Sequence, residues 1–276
     1  MQILRRPPQS TNLLCMRTAS GCMLVGLAFV GCVARSPLAA APISPSPGPK
    51  YGPAGAPRAI TLALDHSYLQ DPRHPAPDYW ALAGYYVPQA GPAACSAASV
   101  AMVVNAARAA LPKNAETPLV TQAALLERVK VKCWAERLSA AGCGGRHGTP
   151  LDVLAEVSRA AFEQNGFSHV NVRVVHVPDR SDEVRRVLVA DLRANELSAR
   201  NFILANFDQK AFTDDTSAGH IAPVAAFDEE RARVLVMDPD REWYEPYWVG
   251  VDVLLAGLAT RDGETGEPRG YVVIDT

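Results

Sequence analysis

The sequence lacks the features that mark a nucleic-acid partner. Its 27 Lys and Arg are offset by 29 Asp and Glu for a formal charge of −2, and it holds no Lys/Arg-rich run and no interleaving of basic with aromatic residues. It has no Cys-x-x-Cys and no Cys/His cluster at zinc-site spacing, so no bound metal is expected. It has no internal repeat of solenoid or propeller period. No apolar run is long enough to span a bilayer comfortably. Aromatic residues make up only 7%, yet 48% of the 276 residues are hydrophobic and 20% charged. That balance suits one large globular domain or two packed lobes and excludes a wholly disordered chain.

What is present at the start reads as targeting. Arg5, Arg6 and Arg17 precede the short apolar stretch Cys22–Gly31, the layout of an export leader, with Met16 as a second candidate start. The stretch closes on "AFVGC", where Gly31 before Cys32 is similar to a bacterial lipobox with Phe29 in place of the commoner Leu. A lipid anchor on Cys32 and ordinary signal cleavage nearby are both compatible with it. Seven prolines follow (Pro37, Pro42, Pro45, Pro47, Pro49, Pro53 and Pro57), too many for helix or sheet interior, so the segment reads as an extended tether. The expected organisation is a leader over 1–32, a proline-rich linker over 33–60 and a catalytic domain over 61–276, in an exported, periplasmic protein.

Beyond the linker, residues 95–110 are small and apolar on nearly all sides and stop before Pro112, the pattern of a buried helix. Further helices are expected from Thr117–Pro118, from Thr149–Pro150 toward Gly166, and over Ser181–Leu197. The second half changes period. "HVNVRVVHV", "NFILANF", "HIAPVAAF", "RVLVMD" and "GYVVID" read as strands, with a polar hairpin at "FDEERARV". "REWYEPYWV" reads by itself as an amphipathic surface strand. A helical lobe followed by an antiparallel sheet lobe is the α+β plan.

Six cysteines are present; Cys95, Cys133 and Cys143 fall in the folded part. In an oxidising compartment Cys133 and Cys143 could close a small disulfide loop and leave Cys95 free; whether they do is open. Cys95 stands where turn-prone residues give way to the apolar helix. A free Cys is commonly a small buried hydrophobe, but at the first turn the unpaired N–H groups and the helix dipole favour a thiolate. Gln89, shortly upstream, could add a side-chain amide to the Cys95 backbone N–H as an oxyanion donor. His220 begins a strand after the polar "DDTSAG" and is the best-placed base of the six histidines. Asp238 ends a strand that hairpin geometry would lay beside it, where a carboxylate can fix the imidazole tautomer.

Cys, His and Asp in that chain order, with Gln before the Cys, is the arrangement of papain-like thiol enzymes. Within that clan "QAGPAACSAASVAMVVNA", "GTPLDVLA", "NFILANF" and "AGHIAPVAAFDEERARVLVMDPDREWYEPYWV" resemble, in order, segments of the phytochelatin synthase family over about Val87 to Val253. The resemblance implies a papain-like fold with the active site between its lobes. It implies Cys95 as nucleophile, His220 as acid and base, Asp238 as orienter and Gln89 as oxyanion donor. It sets Arg241 and Tyr244 near substrate, and Lys210 in the neighbourhood of an Arg that the family carries upstream of the His. Lys is not equivalent to Arg there, and Ser96 and Ala222 replace the family's Gly and Ser.

The implied substrate is glutathione, cleaved at its Cys-Gly bond with release of glycine, with no required cofactor. Hydrolysis is expected ahead of chain elongation, and cadmium- or zinc-bound glutathione as acceptor stays open. A homodimer is an expectation from the family alone. The competing readings are a papain-like peptidase that processes double-glycine leaders and a non-catalytic lipoprotein that binds metal or peptide.

Overall fold

The computed structural model describes residues 50–52, 56–213 and 217–276. The leader, Cys32 and most of the linker lie outside the described residues. Strands are β1 (Ala59–Thr61), β2 (Asn171–His176), β3 (Asn201–Asp208), β4 (Gly219–Asp228), β5 (Arg233–Val236), β6 (Tyr247–Gly250) and β7 (Gly270–Asp275). Helices are α1 (Ser67–Gln70), α2 (Pro77–Ala83), α3 (Cys95–Arg108), α4 (Gln122–Arg128), α5 (Trp134–Arg137), α6 (Leu151–Glu163), α7 (Asp182–Glu196) and α8 (Val251–Leu258). This is a mixed α+β architecture, built on one seven-stranded sheet in the order β1-β6-β5-β4-β3-β7-β2 with antiparallel pairing throughout.

Side chains alternate across the sheet, and both faces are apolar. Phe202 and Leu204 of β3 join a core with Leu154 and Phe162 of α6 and the whole apolar length of α3. Ile203, Ala205 and Phe207, between and beyond them, join a second core with Leu188 and Leu192 of α7 and with Leu254, Leu255 and Leu258 of α8. The expected α+β plan is present, with the first-half helices α3 and α6 on one face of the antiparallel sheet and the second-half helices α7 and α8 on the other. Central strands buried on both sides read as continuous apolar runs, which do not tell from sequence which helix lies on which face.

Three boundaries differ from expectation. The helix expected from Thr117 starts at Gln122, where the Thr121 side chain accepts from the Ala124 N–H at 3.1 Å and caps it. Of "REWYEPYWV" only the last three residues are strand, and they are not at the surface: β6 pairs on both sides, with β1 and β5, and Tyr247 and Trp248 are buried, while Arg241, Glu242 and Trp243 form an exposed turn before it. The linker does not extend to residue 60. Tyr51 is 8% exposed, its ring centroid 5.4 Å from that of Tyr247, and the Arg58 N–H donates to its carbonyl at 2.7 Å. One aromatic anchor and the edge pairing of β1 overcome the proline content that marks this stretch as a tether.

Candidate active site

Cys95 opens α3, a helix whose residues 95–107 are all buried. No side chain caps its N-terminus, so the first-turn N–H groups are not taken up by one. Ser96, the obvious candidate, is engaged elsewhere: its Oγ accepts from the Trp134 indole at 3.0 Å and lies 2.8 Å from Thr149 Oγ1. Ser99 Oγ donates to the Ile221 carbonyl at 3.0 Å, which binds α3 to β4 one residue past His220. Cys133 and Cys143 are joined in a disulfide, Cα to Cα 6.3 Å, leaving Cys95 as the free cysteine among the described residues. His147, Gly148 and Thr149, shortly after that bridge in the chain, line the cavity before Cys95.

His220 pairs in register with Phe207 of β3, whose ring stands edge-on to the imidazole at 5.6 Å. Beyond Val236, the last residue of β5 and a partner of Val224, the chain runs antiparallel to β4 and delivers Asp238 to the histidine. Asp238 Oδ1 lies 2.7 Å from His220 Nε2 and accepts the Asp240 N–H at 2.9 Å, while Oδ2 accepts the Tyr247 hydroxyl at 3.0 Å. Burial by itself would depress the pKa of His220, but the charge and hydrogen bond of Asp238, followed by the Cys95 side chain, outweigh it and raise it to about 10. The imidazole is thus held protonated at neutral pH between the Asp238 carboxylate and the Cys95 sulfur.

Two cavities meet at Pro92. The first, about 310 Å³, is lined by Cys95, His220, His147, Asn206, Asp262 and Arg269 among others. Its guanidinium is well supported: Arg269 Nη1 donates to Asn206 Oδ1 at 2.9 Å and Asp262 Oδ2 at 3.3 Å, and Nε is buried with no partner. Gly219 lets it come this close, because a Cβ there would stand 2.5 Å from Nη1. Glu264 accepts the His147 N–H at 3.1 Å and pairs with Arg137 at 3.5 Å. The second cavity, about 290 Å³, is lined by Gln89, Pro92, Asp240, Arg241 and Trp243 among others. The Gln89 backbone N–H donates to the Pro239 carbonyl at 2.8 Å, which ties the loop before Cys95 to the turn after Asp238.

Cys95, His220 and Asp238 are therefore brought together, and Gln89 and Arg241 share the adjoining cavity, with the Arg241 guanidinium 4.8 Å over the Tyr86 ring. Tyr244 and Lys210 line neither cavity. Tyr244 is buried against Tyr51, ring centroids 6.0 Å apart, and Lys210 sits exposed in a 3-10 turn whose N–H donates to Asp208 Oδ1 at 3.0 Å. The guanidinium that lines the cavity with Cys95 is instead that of Arg269, which sequence reasoning missed together with Asp262 and Asn206. Arg269 directly precedes "GYVVID"; a charged residue abutting an apolar strand was the available signal.

The family model described as phytochelatin synthase matches residues 66–271. The chain belongs to this family. Among curated proteins it is similar to glutathione gamma-glutamylcysteinyltransferase 3 of Lotus japonicus, 25% identical over 71% of this chain and 37% of that protein. It is also similar to glutathione gamma-glutamylcysteinyltransferase 1 of Lotus japonicus, 23% identical over 71% of this chain and 35% of that one. With the glutathione gamma-glutamylcysteinyltransferase of Schizosaccharomyces pombe it is 35% identical over 22% of this chain and 14% of the relative. The chain thus spans little more than a third of the Lotus proteins' length. Among the described residues no group of three or more His, Cys, Asp or Glu stands close enough to hold a metal ion, and no helix is long and apolar enough to cross a membrane.

Proposed function

We propose that this protein cleaves the Cys-Gly amide of glutathione through a thioester on Cys95, in a papain-like arrangement. The observation that carries the reading is a cysteine at an uncapped helix N-terminus, against a histidine fixed by a buried aspartate, with a cavity in front that holds both charge signs. The Cys95 thiolate, paired with protonated His220, attacks the cysteinyl carbonyl carbon. The developing oxyanion is met by the Cys95 backbone N–H and the Gln89 amide. Gln89 Oε1 is buried without a partner, and a half-turn of that amide puts a donor in the same spot. His220 gives its proton to the departing glycine nitrogen as the C–N bond breaks. Water, deprotonated by His220, then attacks the thioester, and the C–S bond breaks to release γ-glutamylcysteine and restore the Cys95 thiolate beside protonated His220. The amine of a second glutathione, free or carrying cadmium or zinc on its thiolate, would instead give a longer chain.

The first cavity suits the far end of this substrate. A γ-glutamyl group ends in an ammonium and a carboxylate on one carbon, and Arg269 beside Asp262 and Glu264 offers a partner to each. A double-glycine leader peptide has no such end and needs none of these charges, and a metal-buffering role has no cluster of ligands to rest on among the described residues.

The test is product analysis by mass spectrometry of the purified chain with glutathione under reducing conditions, with and without cadmium, beside a Gly-Gly leader peptide. Free glycine with γ-glutamylcysteine is the expected result, and longer γ-glutamylcysteine chains would indicate transfer. Cys95→Ala should abolish glycine release; full cleavage by that variant would sink the mechanism, and cleavage of the leader peptide alone would replace the substrate.

A further inference from the structure

Both oxygens of the buried carboxylate behind His220 are held, and by different elements. Oδ1 receives His220 Nε2 and the Asp240 N–H, while Oδ2 receives the Tyr247 phenol from β6 at 3.0 Å. A carboxylate held through one oxygen alone can turn about its Cβ–Cγ bond, a soft torsion; a donor on each oxygen fixes its plane. Tyr247 is itself immobilised: 2% exposed, it packs on Tyr51, Phe212 and Tyr244 with ring centroids at 5.4, 6.0 and 6.4 Å. Burial, then the charge of Asp238, pushes its phenol well above the ordinary range, so it keeps its proton and donates. The other groups around the pair are Cys95 from α3, Asp240 in the following turn and Tyr86, whose hydroxyl donates to the Asp238 carbonyl. No Lys or Arg pairs with Asp238 among the described residues.

We propose that Tyr247 is a positioning residue for the acyl transfer: its hydroxyl fixes Oδ2 of Asp238 so that Oδ1 stays aimed at His220 Nε2 and the other imidazole nitrogen faces Cys95. The inference rests on the glutathione-cleaving reading for its chemistry but on the carboxylate geometry alone for its structure.

Tyr247→Phe removes the hydroxyl and keeps the ring, so folding should survive, as thermal unfolding would verify. In the whole chain with glutathione it is expected to lower kcat about tenfold and leave KM within about twofold, the signature of a lost charge-assisted hydrogen bond that acts away from substrate. With Oδ2 no longer sharing its charge with a donor, Asp238 holds the imidazolium more tightly, and His220 should titrate at higher pH by NMR. In an Asp238→Asn background the same substitution should have no further effect on kcat, because the two act as one unit. Full activity in Tyr247→Phe, or an equal loss in both backgrounds, overturns the proposal. Should the wild-type chain release no glycine, the functional reading fails by itself and the NMR titration still decides: an upward shift sustains the role of Tyr247, and an unmoved or lowered one ends it.

Discussion

Behind His220, both oxygens of Asp238 are hydrogen-bonded and the carboxylate is wholly buried. Around the two cavities in front, Arg269 Nε and Gln89 Oε1 are buried with no hydrogen-bond partner among the described residues. Buried polar atoms are normally paired, so the difference is informative. The proton-handling side is complete in the free protein, which is what preorganised catalysis requires. The recognition side is left short of partners that a ligand with amide, carboxylate and ammonium groups would supply. Damage to the first should therefore appear in kcat and its pH dependence, and damage to Arg269 in KM; Gln89, whose partner would be the oxyanion, should when lost lower kcat.

The largest effect after loss of Cys95 should come from Asp238→Asn. It removes the charge that holds up the pKa of His220 and reverses the preferred tautomer, and kcat should fall about a hundredfold or more with little change in KM. Wild-type activity should persist above pH 7 and be lost as pH rises toward about 10, where His220 gives up the proton that the leaving amine needs; in Asp238→Asn that loss should come at lower pH. The sign for stability follows the same raised value. The contribution of the His220–Asp238 pair is complete below the ordinary histidine value near 6.5 and disappears as pH rises through about 10. An Asp238→Asn profile that superimposed on wild type would remove the distinction between the two sides.

On the recognition side, Arg269→Met should raise KM for glutathione about tenfold or more, with a smaller change in kcat. It should also erase any preference for glutathione over an analogue lacking the glutamyl α-carboxylate. A fall in kcat at constant KM would instead assign Arg269 to the proton-handling side.

The meeting of Cys95, His220 and Asp238 was legible in the sequence because each sits at a punctuation mark: Cys95 where turn residues meet an apolar helix, His220 where a polar loop meets a strand, Asp238 where a strand meets Pro239. Hairpin pairing then brings His220 and Asp238 together with little freedom. Arg269 and Asp262 were not legible, because they reach the cavity from the stretch between α8 and β7, and only the pairing of β7 between β3 and β2 carries that stretch beside Cys95. Tyr244 misled for a related reason. Its spacing from Arg241 suits a shared site, but the turn leading into β6 sends it toward Tyr51 and the second core while Arg241 stays at the cavity. Sequence periodicity located β2, β3, β4, β5 and β7 but not β1, and it carries no information on which face a long-range neighbour covers.

The smallest expected effect is the most discriminating for the comparison, because Gly219 touches both sides. It adjoins His220 in the chain, yet the atoms nearest an added Cβ are the Arg269 guanidinium nitrogens, at 2.5 and 2.7 Å. That guanidinium is the far end of a flexible side chain and can swing aside, which weakens its bond to Asn206 without disturbing β4. Gly219→Ala should therefore raise KM about threefold, a shift of under 1 kcal/mol within the range of mild substitutions, and leave thermal stability nearly unchanged. His220 should titrate as in wild type, because its partners Asp238 and Cys95 approach from β5 and α3 rather than through Gly219. A displaced His220 titration in Gly219→Ala would mean that the guanidinium and the histidine move as one unit, and the division between recognition and proton transfer would have to be drawn elsewhere.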